Sequence, residues 1–134
     1  MATLGQVRDE LKVRLATISG LRAHDVWPDT VNVPAALVRP LTGTFAESYG
    51  NGTKFTFEIV LVLQLGTLRS AQDALDAYLD PSGSSSIVAA IEGDRTLGGK
   101  ADTLAVTGWR DYGGMEIGTV TYLGVKFDVD VWPV

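Results

Sequence analysis

His24-Asp25 is the first pair in the chain whose types suit chemistry, since an imidazole beside a carboxylate can act as a general base. His24 is the only histidine and cysteine is absent, so a metal site rich in His or Cys cannot be built. Nothing elsewhere resembles a nucleophile elbow for His24 to activate, and its expected role is structural or solvent-facing. Gly93-Asp-Arg-Thr-Leu-Gly-Gly-Lys100 has the glycines and lysine of a phosphate loop in the wrong spacing. A second glycine delays the lysine, Ala101 stands where Ser or Thr would hold magnesium, and no strand precedes it. It reads as a solvated turn. Asp128 and Asp130 lie two apart and so share a strand face. Glycosidase-type catalysis needs a second carboxyl in a different environment across a cleft, and neither Asp111 nor Glu116 completes that pattern. Charges on a wet strand face are the simpler expectation. No catalytic, metal-binding or cofactor-binding residue is assigned.

Large aromatic groups are the remaining candidates. Core packing accounts for Trp109. Trp27 and Trp132 stand beside prolines at strand ends, where peripheral aromatics favour protein interfaces. Phe45 and Tyr49 fall in a glycine-rich stretch with no evident core position and join them as candidate partner contacts.

Composition narrows the classes further. A chain of 134 residues supports one domain, expected to span 1–134. A formal net charge of −5 argues against gripping nucleic-acid phosphates, which takes clustered Lys and Arg. Residues 1–20 carry charges throughout and lack the apolar core of a secretory signal. The longest strictly apolar run, Ile59–Leu63, is far below the ~20 residues that cross a bilayer. The expected state is soluble and intracellular, or assembled into a particle.

The elements that position these residues are organised around Lys54–Leu65. Phe55, Phe57, Ile59, Leu61, Leu63 and Leu65 fall on one side of a period-2 strand. Burying those six side chains is worth on the order of 9–18 kcal/mol before entropy, too much apolar surface for an edge, so the strand should be central. The other side, Thr56 to Gln64, is polar at its ends with Val60 and Val62 between them. A second layer should cover those valines, and a neighbouring subunit is one source of it.

Before this strand, Thr3–Ile18 reads as an amphipathic helix with Leu4, Val7, Leu11, Leu15 and Ile18 on one face and a Thr3/Gln6 capping box. Leu21–Val26 and Ala35–Arg39 are short strands, with Pro40 ending the second. Leu41–Gly52 is a long polar connection in which Asn51-Gly52 suits a tight turn. After it, Ser70 is placed to cap a second helix that Pro81 ends, and Ser85 or Ser86 caps a third with Ile87, Val88 and Ile91 inward. Gly93 stops this helix, and Thr96–Lys100 is a turn-rich bridge. Thr103–Tyr112 and Met115–Trp132 then form two strands around Gly113-Gly114. There is no internal repeat. The order predicts an α+β domain: a mostly antiparallel sheet with an N-terminal helix and a central helix pair packed on it.

The ordered segments TLGQVRDELKVRL, VWPDTVNVPAALVRP, FTFEIVLVL, RSAQDALDAYLDPSGSSSIVAAIEGDRTLGG and VTYLGVKFDVDV together resemble the tail terminator proteins of long-tailed bacteriophages, particularly those infecting actinobacteria. The resemblance covers nearly the whole chain, and AQDALDAYLDPSGSSSIVAAIE is its most specific part. It implies a non-enzymatic virion protein without a cofactor, assembled in the host cytoplasm into a homo-oligomeric ring, a hexamer in that family. The ring ends tail-tube polymerisation and joins the tail to the head-side connector. The implied partners are further copies of the chain, the tail tube protein and the connector, with DNA passing through the lumen unbound and no membrane involved. Another small neck protein, a stopper or adaptor, is the alternative within this class. A small enzyme or ligand-binding domain near His24 and Asp25 is the alternative outside it. On either neck reading, Trp27, Phe45, Tyr49, Val60, Val62 and Trp132 are the candidate interface residues.

Overall fold

The computed structural model describes residues 3–24, 26, 31–45, 53–64 and 68–133. Its elements run in the order α1 (Leu4–Leu15), β1 (Arg22–His24), β2 (Ala35–Phe45), β3 (Thr53–Gln64), α2 (Leu68–Leu79), α3 (Ile87–Glu92), β4 (Ala101–Ile117) and β5 (Val120–Pro133). The strands form one five-stranded sheet in the order β1-β2-β3-β5-β4. Only the β1–β2 pair is parallel. This is the expected α+β domain, with β3 in the centre of the sheet.

The helices occupy one face. Alternation along β3 turns Phe55, Phe57, Ile59, Leu61 and Leu63 toward them, and along β5 it does the same for Leu123, Val125, Phe127, Val129 and Val131. Val7, Leu11 and Leu15 of α1, Leu75 and Tyr78 of α2, and Ile87 and Ile91 of α3 close the core from the other side. Thr3 and Gln6 exchange the two hydrogen bonds of the capping box at the start of α1. Arg14 links two helices by donating from Nε to the Ala90 carbonyl at 2.9 Å. Ser86 caps α3.

Three of the boundaries that depart from the sequence expectation are those of α1, β2 and α2. α1 ends at Leu15 rather than Ile18, because Thr17 and Ile18 bond back to Arg14 and Leu15 in tight i→i−3 turns that still deliver Ile18 to the core. β2 runs through Pro40 to Phe45. The described pairs of β1 with β2 stop at Leu37, short of Pro40, whose missing N–H is tolerated at a position outside that ladder. A register shift between Pro40 and Thr42 then lets the strand continue along β3. Five of the twelve residues of the expected 41–52 connection therefore belong to β2, and the remainder, Asn51-Gly52 included, lies outside the described residues. α2 begins at Leu68, which places Ser70 inside the helix rather than at its cap.

The last hairpin turns at Gly118-Thr119 rather than at Gly113-Gly114. Gly118 has φ +63° and occupies the first central position, where a type II′ turn calls for glycine. Gly113 and Gly114 lie within β4, opposite Gly124 and Leu123. β4 carries three register shifts, which re-aim its side chains and make its long outer edge a poor template for pairing. At the Val106/Gly108 shift, Glu92 of α3 accepts the Val106 N–H at 3.1 Å.

The bridge from α3 to β4 is ordered by one carboxylate. Asp94 accepts from the Thr96 hydroxyl at 2.8 Å, the Thr96 N–H at 3.2 Å and the Gly98 N–H at 2.9 Å. This holds Leu97 in a left-handed conformation, φ +49°, with its side chain fully buried. The hydrogen bond from the Thr96 hydroxyl, followed by that from Gly98, lowers the Asp94 pKa below the usual aspartate value. A depressed carboxylate stabilises the fold above its unfolded pKa, and that contribution is lost as pH falls through the folded value. Asp94→Asn should therefore lower the melting temperature at neutral pH. The gap to the parent protein should close on acidification below about pH 4. Thermal melts across pH check this; a gap that is constant with pH would rule it out.

Candidate functional site

The opposite face of the sheet carries no helix among the described residues, and the side chains there sort into two halves. Ala35, Leu37, Val60 and Val62 form a small second apolar cluster, bordered by Val31, Val33, Met115, Ile117 and Tyr122. Val60 is 5% exposed and Val62 fully buried. The second layer expected over these valines is thus supplied by the chain itself, from the 31–33 segment and the far end of the β4–β5 hairpin. Glycine at 124 makes this possible. It pairs with Val62, and a Cβ there would meet the Leu61 carbonyl oxygen and Met115 Cε at 3.0 Å. The gap is filled by Met115 from the neighbouring strand.

The other half is a charge network across four strands. Glu58 on β3 is 2% exposed, a burial that an unpaired carboxylate would not survive. Arg39 of β2 reaches its Oε1 with Nε at 2.9 Å and Nη2 at 2.7 Å. Arg110 of β4 reaches Oε2 with Nη2 at 2.5 Å. The same guanidinium spans β5, holding Asp128 Oδ2 through Nε at 3.2 Å and Oδ1 through Nη2 at 3.1 Å. It extends to Asp111 through Nη1 at 3.0 Å. Lys126 Nζ lies 3.7 Å from Asp111 Oδ2. The Asp128 carboxylate first, and Glu58 second, raise the Arg110 pKa above the ordinary arginine value. Asp130, two residues on, accepts from the Thr56 hydroxyl at 2.8 Å.

These partners decide what the residues can do. Asp128 and Asp130 do share a face, but one is ion-paired and the other hydrogen-bonded, and neither is the freely solvated charge expected from the sequence. Each carboxylate in the network faces a guanidinium or ammonium, so the arrangement fixes strand register and leaves no poised general base. The Glu58 network was not anticipated. The cue was available in the alternation that puts Glu58 beside Val60 on a central strand, where burial demands a cation. Which arginines supply it depends on register.

The other singled-out residues disperse. His24 lies on the short edge strand β1, half-buried and paired with Leu37, and Asp25 is outside the described residues. Trp27 and Tyr49 are also outside them. Phe45 ends β2 opposite Thr53, and its side chain is not among those described. Trp132 is half-buried, opposite Thr103 at the end of β5. Trp109, expected in the core, is 51% exposed on the outermost strand β4. Beside the second half of β2, Leu4, Pro40, Leu41, Thr42, Gly43 and Phe55 line an open apolar groove of about 330 Å³. Among the described residues, no group of His, Asp or Glu could hold a metal ion, and no helix is long and apolar enough to cross a membrane.

Two predictions follow from the two halves of this face. Arg110→Ala should lower the urea midpoint more than Arg39→Ala does, because it strips a partner from both Glu58 and Asp128. Arg39→Ala should cost about 1 kcal/mol or less, since that side chain is 50% exposed. Urea midpoints decide, and equal losses would mean that Arg110 is not the hub. Val62→Asp should cost several kcal/mol of monomer stability, because its site is closed by the same chain. A mutant monomer that melts like the parent would contradict that burial.

In comparisons with known proteins, no family model and no curated protein matches this chain.

Proposed function

We propose that this chain is a ring-forming structural subunit of a phage neck, a tail terminator that caps the growing tail tube and joins it to the head-side connector. The ordered sequence resemblance supplies the identity of the reading. The structural observation that supports it is the sheet face that no helix among the described residues covers. A solvated antiparallel face normally carries polar side chains throughout. Here partly buried Val31, Val33, Met115, Ile117 and Tyr122 lie together at one end of it. A contiguous apolar patch of this kind suits a protein–protein contact.

A closed ring needs two different surfaces on each subunit, one meeting the other on its neighbour. The apolar end of this face is one. The groove beside the second half of β2, at the opposite end of the strands, is available as the other. On this reading Val60 and Val62 form the floor of the contact, and the neighbour meets the side chains that cover them. The acidic net charge also suits a lumen that DNA traverses, since a basic one would bind the duplex and slow its transit.

The reading is tested by native mass. The purified protein, alone or with tail-tube protein, should form a ring. Ile117→Asp, at a partly buried position of the patch, should leave the monomer folded and abolish the ring. A protein that stays monomeric with and without tube protein would overturn the proposal. A ring that binds the filled head but not the open tube end would reassign it to a stopper or adaptor.

A further inference from the structure

Trp109 and Tyr112 are three apart, so in a regular strand they would point to opposite faces. The register shift between Arg110 and Gly113, with Asp111 at φ +59°, breaks that alternation. The two rings come to 6.0 Å between centroids, tilted by 53°. The bulge thus assembles an aromatic pair at the rim of the helix layer, with the indole half in solvent. Its surroundings are acidic. The Tyr112 hydroxyl donates to Asp76 Oδ1 of α2 at 3.1 Å. Asp73, one turn earlier on α2, is near enough for its charge to add to the rise in the Tyr112 pKa, behind burial and Asp76. Asp73 and Asp76 are both exposed.

We propose that Trp109, Tyr112, Asp73 and Asp76 form a docking site for an arginine-bearing segment of a partner protein. The charge of the site selects a cation, in keeping with a chain of net charge −5. A guanidinium is the cation that stacks on an indole face and forks to carboxylates at once. The site lies on the helix side of the sheet, away from the apolar patch assigned to ring contacts. It stands or falls independently of the ring.

The test is a titration of the ¹⁵N-labelled full chain with hexa-arginine peptide, with hexa-glutamate as control. The readout is the indole N–H resonance of Trp109, assigned as the one lost in Trp109→Phe. Hexa-arginine should shift that resonance saturably, and hexa-glutamate should leave it in place. Trp109→Ala, followed on the amide resonances of α2, should weaken binding about two- to fivefold, the size of one exposed cation–π contact. Asp73→Asn with Asp76→Asn should weaken it about tenfold and remove most of its salt dependence. No shift at millimolar peptide, or equal binding by the aspartate variant, would overturn the proposal. So would a Trp109 resonance that moves with protein concentration alone, which would give the surface to a second copy of this chain.

Discussion

A β-strand paired along both edges has spent its backbone hydrogen bonds on its neighbours, and its side chains must then find partners on two faces at once. β3 is in that position, between β2 and β5. On one face the solution is apolar. Phe57, Ile59 and Leu61 are fully buried against three helices that have no other core to join. A one-residue slip of β3 would expose that whole set and drive Glu58 into the helix layer. The register of the neighbouring strands, and through them the seating of all three helices, follows from that single alternation.

The second face is solved differently because no helix among the described residues covers it. At one end the chain folds its own edges inward, with Met115 crossing the gap left by Gly124 and the 31–33 segment closing over Val60 and Val62. At the other end a carboxylate is buried between two arginines. A buried ion pair adds little net stability compared with an apolar filling. What it adds here is specificity: Glu58, Arg39, Arg110 and Asp128 come from four strands, and only one register satisfies them all. An acidic side chain on a central strand is then tolerable, and the face stays polar enough at that end to meet water.

Irregularity in the sheet is concentrated on β4, the outermost strand. Its shifts let Glu92 take up an otherwise unpaired amide, bring Trp109 and Tyr112 to the same side, and keep a long edge from recruiting other strands. β1 protects the opposite margin by being only three residues long. β2 passes through Pro40 and, after a register shift, continues beside β3 to Phe45.

Much of this was determined by sequence alone, where a local period was long and uniform. The step of Val7, Leu11 and Leu15 placed α1, the Thr3/Gln6 pair placed its start, and the alternation of Phe55 to Leu63 made β3 central. Leu123 to Val131 alternate in the same way and take the inner face of β5. The sequence went astray where two signals of equal local strength competed. Gly113-Gly114 and Gly118 are both turn candidates, and only the ladder with β5 selects between them. Pro40 ends a strand unless its missing N–H falls outside a ladder, which only the pairing with β1 decides. The tertiary structure alone decided the partners: that Arg39 and Arg110 would meet Glu58, that Met115 would cover Val62, and that Trp109 would stand in solvent. Those contacts join residues distant in the chain, and a periodic pattern fixes which face a side chain takes without fixing what it meets there.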